Sequence, residues 1–413
     1  MTIKIEKSEI DVRAKLNEAS KPTGVAGNAM LRADTPQEQF RMIGAGRRNL
    51  IINGAFQVAQ RGTLITEGGA NITGSSATSY YALDRFKAAE HTDGSFTVAQ
   101  KNDGPMTADG RFRYYMEAEW TNPDTSVAGT QYAGFFYKLE RGELDQFNYG
   151  TTEAKTMTLS FYHAHSIPGH YSICVRNSGN ASNRNFVVDY YQDEADVWQK
   201  STIVIPGDMK GDWNPSKDED DAMSIMFTMA NGTSYQESDY TKWRRWFTVA
   251  YRHSTHLQTQ MCQTANSKFR ITGVQLEAGS VATPFEHRSY GEELALCQRY
   301  LHVIGGSTDV IYLGTGSMYT TTNANLSIPL PATLRDNNPS FIKVPNSTGN
   351  WINVYIGATG TISNPTPLQG DFTQSNVRLY CINAHSGTGS SFVGASIWSM
   401  VLANAMLIID CDF

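Results

Sequence analysis

Charged side chains are scarce in this chain. Asp, Glu, Lys and Arg make up 18% of its 413 residues, against roughly 25% in ordinary soluble domains. Ser, Thr, Asn, Gln and Gly take their place, as expected of many strands joined by turns. No basic excess exists either: the net charge is −6, so non-specific nucleic-acid binding through a basic surface is not expected. Long apolar runs are lacking. The run Ala405–Ile409 falls far short of the roughly 20 residues a spanning helix needs, so no membrane insertion is expected. The N-terminus, MTIKIEKSEIDVRAK, has no apolar core between a basic start and a small-residue cleavage site. That predicts no secretory signal, and a protein made and kept in a cytosol.

Cysteine is sparse and unpatterned. Cys174, Cys262, Cys297, Cys381 and Cys411 are odd in number and form no CxxC pair, so they read as buried thiols rather than as a disulfide framework. Catalytic signatures are missing as well. There is no nucleophile elbow, no HExxH and no Walker loop, which predicts no enzyme of those classes and no cofactor.

What is present is strand after strand. The length exceeds one ordinary core and predicts two or three domains. The stretch from Phe269 to Leu301 organises them. Phe269 and Ile271 share one parity and Val274 and Leu276 the other, so a long strand changes face at Thr272-Gly273, as at a β-bulge. A turn at Glu277-Ala278-Gly279 follows, and Ser289, three residues before Glu292, predicts a capped helix ahead of Leu294, Leu296 and Tyr300.

In chain order, residues 1–47 are polar and punctuated by Pro and Gly, with a short helix expected after Thr35 and Pro36. From Asn49, NLIINGAFQVAQRG predicts short strands in which Leu50 and Ile52, then Phe56 and Val58, alternate with other residues. Tyr114, Met116, Ala118 and Trp120 alternate with Tyr115, Glu117 and Glu119. Met157, Leu159 and Phe161 are followed by SIPG at Ser166–Gly169 and by Tyr171, Ile173 and Val175, which predicts a hairpin. Met223–Met229 and Phe247, Val249 and Tyr251 predict further strands. Beyond about His302, strands are expected around Val310 and Tyr312, at Leu326–Leu330, Trp351–Ile356, Val377–Cys381 and Ser396–Leu402, and at the end of the chain. The fold class expected is all-β: two antiparallel β-sandwich domains, 48–300 and 301–413, after a partly helical leader, 1–47.

Several of these stretches carry a family resemblance. ITGVQLEAGSVATPFEHRSYGEELALCQRY resembles the segment that closes a β-sandwich domain in many bacteriophage tail fibre and tail-associated proteins. NGAFQVAQRG with LDRF at Leu83–Phe86 resembles the opening of the same domain, so the likeness spans about Asn49 to Tyr300. GNAMLRADTPQEQFRMIGAG is similar to an adaptor-like segment of tail fibre proteins, and PATLRDNNP to their C-terminal regions. The resemblance implies a jelly roll similar to carbohydrate-binding modules and a place in the virion tail after assembly in the host cytoplasm. It also implies a homotrimer, docked to other phage tail proteins through the leader. It further implies a non-enzymatic tail fibre subunit that contacts a host surface glycan or receptor. The alternatives are a tail-associated glycan hydrolase (depolymerase) and a carbohydrate-binding module of a cellular or prophage protein.

Candidate site residues follow from chemistry. Tyr and Trp faces stack on sugar rings, and Tyr312, Tyr319, Trp351 and Tyr355 lie near polar loops of the C-terminal region, the expected receptor or glycan contact. The middle sandwich is the expected spacer, with sugar binding there as the competing assignment. His163 and His165, two apart on a strand, lack further ligands at metal spacing and read as structural. The acidic run Asp218–Asp221, near Asp208 and Asp212, lacks the alternate spacing of a calcium loop and reads as a solvated turn, so no metal is expected. Glu117 and Glu119 read as a solvated strand face rather than as a glycosidase pair.

Overall fold

The structure is a computed structural model that describes residues 48–411 apart from 62–69, 74–79, 179–182, 216–220, 306–308, 319–323, 336–339, 345–351, 357–359, 364–367, 374–375, 382–395 and 402–405. The expected leader, 1–47, and its capped helix lie outside the described residues. The chain is all-β, built of largely antiparallel sheets. Among the described residues no helix is long and apolar enough to cross a membrane.

Two sheets face each other across the main core. One has the strand order Ala70–Thr73, Ser95–Lys101, Tyr115–Asn122, Lys268–Ala278, Met157–His163, Gln199–Ile205. The other runs Trp246–Thr248, Arg184–Gln192, Gly169–Asn177, Asp221–Asn231, Tyr132–Glu140, Phe86–Glu90, Tyr80–Leu83. Alternate residues turn inward from both layers, as the period-2 pattern requires. Met116, Ala118, Trp120, Leu159, Phe161 and Phe269 come from the first sheet, and Phe135, Tyr137, Ile173, Val175 and Phe227 from the second, all in one buried cluster. Aromatic edges knit the layers: Phe161 meets Phe227 edge-on at 5.3 Å and Phe96 meets Phe135 at 6.1 Å. Truncating such a ring to alanine costs roughly 3–5 kcal/mol.

The hinge strand is as its parity change implies. Its register against Met157–His163 slips between Thr272 and Gln275, and Gly273 sits there at φ 61°. Only glycine adopts that angle freely. A Cβ at this position would also fall 2.7 Å from the Phe112 ring.

The SIPG segment makes no hairpin. Met157–His163 belongs to the first sheet and Gly169–Asn177 to the second, so the chain arches across the core between them. Both strands still present alternate residues inward, and parity alone does not distinguish an arch from a hairpin. The expected strands at Leu50–Val58 are also absent. This segment is a turn with Asn53 and Phe56 at positive φ, closed by the Asn53 side chain: Oδ1 accepts from Val58 N and Nδ2 donates to Val58 O, both at 2.9 Å. The Phe247 strand stops at Thr248, and Tyr251 is in the left-handed region instead.

The opening and the closing of the sandwich lie together. Asn49 Nδ2 donates to Val274 O at 3.1 Å, Asn49 Oδ1 accepts from Leu276 N at 3.0 Å, and Leu50 N donates to Leu276 O at 2.9 Å. The Tyr290–Gln298 helix starts at Ser289, whose hydroxyl accepts from Glu292 N at 3.3 Å. It packs Cys297, with Tyr300 beyond its end, on Ile52 and Val58. Arg85 of LDRF lies 3.5 Å from the centre of the Tyr300 ring.

Past Tyr300 two more sheets form. Leu301–Gly305, Met406–Asp410 and Ser340–Val344 make one of three strands. The other runs Gly360–Ser363, Ile352–Ile356, Ser396–Val401, Ile311–Met318, Ala324–Pro329, Asn376–Cys381, Leu368–Thr373. Backbone bonds tie this region back to the hinge: Cys411 N to Tyr300 O at 2.7 Å and Arg335 N to Arg299 O at 2.8 Å. Cys174, Cys262, Cys297 and Cys411 are buried thiols rather than disulfides.

Candidate functional site

A recess of about 550 Å³ opens beside Tyr312, where the Leu301–Gly305 strand passes Ile311–Met318 and Ala324–Pro329. Its walls mix apolar Val303, Ile304 and Ile328 with His302, Thr315 and Ser327. Tyr312 is 56% exposed at the rim, so most of its ring is available to a ligand. Burial lowers the pKa of His302 from its usual range, which keeps the imidazole neutral at pH 7. Its Nδ1 is buried without a hydrogen-bond partner. A neutral imidazole, two hydroxyls and an exposed phenol ring suit the hydroxyl groups and apolar faces of a sugar.

Of the four expected contact residues, the structure brings Tyr312 to this recess. Tyr319 and Trp351 lie outside the described residues. Tyr355 is on the Ile352–Ile356 strand, opposite Trp398 and Thr361, and the Ser396–Val401 strand separates it from the strand of Tyr312 in the same sheet.

The other weighed residues have structural work. The His163 ring is fully buried: Nδ1 donates to Gln192 Oε1 and Nε2 accepts from Ser201 Oγ, both at 2.8 Å. His165 stacks on Phe269 at 4.1 Å and meets the Tyr190 hydroxyl at 2.9 Å. Burial lowers both pKa values, that of His163 to about 4. Asp208 is held by Arg184 through two bonds of 2.7 and 2.6 Å, and Asp221 pairs with Lys138 at 2.7 Å. The rest of the acidic run, Asp218, Glu219 and Asp220, lies outside the described residues. Among the described residues no group of three or more His, Cys, Asp or Glu is placed to hold a metal ion.

Glu117 corrects the sequence expectation. It is buried, not solvated, with Arg270 Nε at 2.7 Å and Lys101 Nζ at 3.4 Å. The outer side of the first sheet carries ion pairs there, so parity gives the residue its correct face and misjudges its cover. Glu90, which no sequence motif singles out, has its pKa raised to about 7, chiefly by burial. That value would suit acid catalysis, but the side chain is 1% exposed and its oxygens accept from Thr92.

A second recess, about 380 Å³, goes unannounced by any sequence motif. The segment Arg111–Tyr114 meets the segment Phe285–Tyr290 across it. Phe112 packs edge-on to Phe285 at 5.0 Å and lies 5.2 Å from the His287 ring. His287 Nε2 donates to Asp109 O at 2.8 Å. Gly110, at φ 105°, leaves room for that ring, since a Cβ there would fall 3.3 Å from Nε2. The alternation of Arg and aromatic residues in RFRYY is the available signal, but its partner segment is far away in sequence.

No family model and no curated protein matches this chain. Solved structures do. Among them is the enzymatically active domain of bacteriophage CBA120 tailspike protein 4, 12% identical over 56% of this chain with a TM-score of 0.30. This chain spans only 21% of that one. A family 11 carbohydrate-binding module from Clostridium thermocellum, in complex with a β-1,3-1,4-mixed-linked tetrasaccharide, is 13% identical over 52% of this chain and 100% of its own, with a TM-score of 0.26. A tandem CBM22 pair from Paenibacillus barcinonensis is 10% identical over 84% of this chain and 98% of its own, also at 0.26. Likenesses this distant carry no argument about what the chain does.

Proposed function

We propose that this protein is a non-enzymatic structural subunit of a bacteriophage tail, a tail fibre protein that contacts a host surface glycan. Its setting is the virion tail, after assembly in the host cytoplasm. Residues 1–47 attach it to other tail proteins, 48–300 form the jelly-roll-like middle domain, and 301–413 make the host contact as part of a homotrimer. The tail setting is supported by the sequence resemblance of the opening and closing segments around Asn49 and Tyr300. The glycan reading is carried by one observation: Tyr312 stands exposed at the rim of a recess whose walls mix apolar and hydroxyl groups. Aromatic stacking with hydrogen bonds from a few fixed polar groups is how proteins hold sugars without chemistry.

Adsorption of the full-length protein to host cells tests it. Replacing Tyr312 by Ala removes an exposed ring, so the fold is kept while adsorption falls by about tenfold or more. Unchanged adsorption of Tyr312→Ala would remove the C-terminal recess as the contact. Release of oligosaccharide from host polysaccharide by the wild-type protein would replace the structural reading with the hydrolase.

A further inference from the structure

The recess between Arg111–Tyr114 and Phe285–Tyr290 combines features that the Tyr312 recess lacks. Arg111 and Arg113 are both exposed, and neither has an ion pair among the described residues; the Arg113 guanidinium lies 5.2 Å from the centre of the Tyr114 ring. Neighbouring arginines are engaged. Arg288, at the back of the same recess, donates to Ile51 O and Asn49 O and lies 3.3 Å from Glu293 Oε1. Arg270 holds Glu117 and Asp196. The lining residues include no Asp or Glu, and Glu286, within the opposite segment, accepts from Arg48 N and Asn49 N and pairs with Arg288 rather than with Arg111 or Arg113. In a chain of net charge −6, such a local positive site is a specific feature and not a by-product of overall charge.

The walls are packed and largely aromatic. Phe112, Tyr162 and Phe285 form a small buried cluster outside the main core, and Phe112 rests on the bare Cα of Gly273 at the bulge of the hinge strand. The loop bearing the arginines is fixed at its base by Phe112 N to Pro105 O at 3.0 Å and Gly104 N to Arg113 O at 3.2 Å. Opposite it, Tyr290 is 56% exposed. The volume, about 380 Å³, lies in the range of about 300–1,000 Å³ in which small ligands are held.

We infer that this recess is a second binding site, independent of the Tyr312 recess, for a carboxylate-bearing sugar unit of an acidic polysaccharide. The guanidinium forks of Arg111 and Arg113 match a carboxylate, which accepts two parallel N–H bonds in one plane. The exposed ring of Tyr290 and the His287 edge offer flat surface to the sugar ring. A purely acidic polypeptide would satisfy the arginines but has no ring to lay against the aromatic walls.

The test uses the full-length protein and a panel of alginate, hyaluronan and polysialic acid oligosaccharides, each beside its carboxyl-reduced neutral counterpart, with poly-L-glutamate as a charge control. At least one acidic oligosaccharide should bind roughly tenfold or more tightly than its reduced form, and binding should weaken as salt is raised. Each charged hydrogen-bonded contact is worth roughly 10- to 100-fold in affinity, so Arg111→Ala and Arg113→Ala should each weaken binding by about that factor. Arg113→Lys, which keeps the charge and loses the fork, should recover only part. Both arginines are exposed, so unchanged melting temperatures check that the variants fold. Tyr312→Ala should leave acidic binding intact, which separates this site from the proposed host contact. The inference is overturned if no acidic member binds better than its reduced form, if the double alanine variant binds as well as wild type, or if poly-L-glutamate binds as tightly as the sugars.

Discussion

The guanidinium of Arg85 lies 3.5 Å from the centre of the Tyr300 ring, and the two residues are only 4% and 2% exposed. The pair joins the LDRF motif near the start of the sandwich to the last residue before the C-terminal sheets. A desolvated cation–π contact is worth about 2 kcal/mol. In a double-mutant cycle with Arg85→Met and Tyr300→Leu, a coupling of about 1–2 kcal/mol is therefore expected from urea unfolding. A coupling near zero would mean that the two residues contribute only through separate neighbours.

Gly273→Ala tests the bulge. It places a Cβ at φ 61° and against the Phe112 ring, at an expected cost of about 1–3 kcal/mol or more. Combining it with Phe112→Ala removes the clash and leaves the backbone strain. The double variant should then be less destabilised than the sum of the two single changes, as read from denaturant midpoints.

Acid should weaken the fold through its buried histidines. His163 is held neutral to about pH 4 and His253 to about pH 3, chiefly by burial, while the unfolded chain protonates both near pH 6.5. Between those values the unfolded state binds more protons, so stability falls as pH drops below about 6.5. His163 alone accounts for up to about 3 kcal/mol by pH 4. Glu90, with its pKa raised to about 7, acts in the opposite sense. Its contribution is full at low pH and is lost as pH rises toward 7. His163→Gln should flatten the acid limb of a plot of unfolding free energy against pH. An unchanged slope would show that the ring ionises in the folded state as freely as in the unfolded one.

Assembly is the remaining expectation. Light scattering of the intact protein should give three times the chain mass of 45.7 kDa. The single-chain mass across a wide concentration range would exclude the homotrimer.

How far the fold is legible depends on how local each signal is. The bulge at Gly273 and the helix cap at Ser289 are readable because a parity change and a capping residue are written in consecutive positions. The arch at Ser166–Gly169 is not, because alternation fixes which face a residue takes and leaves its strand's neighbour undefined. Glu117 has the correct parity, yet its burial depends on Arg270, which is 153 positions away. Distance of the same order hides the Arg113 recess, whose two walls, Arg111–Tyr114 and Phe285–Tyr290, lie far apart in the sequence. Of the four aromatic residues expected at the glycan contact, Tyr312 is recoverable as an exposed ring by a recess. Its neighbour His302 is not, because a single histidine beside a helix end carries no motif.

The adjacency of Asn49 and Leu276, extended by Gln60 Nε2 to Leu301 O at 2.7 Å and Arg61 to Asp410 at 3.1 Å, has a mechanical meaning. The chain enters and leaves the sandwich at one place. A pull applied between the two ends is borne across this short clamp, and the sheets hang beside the line of tension instead of lengthening it. Under load the first bonds to part would be those between Leu50 and Leu276 and around Asn49, with the aromatic core still closed.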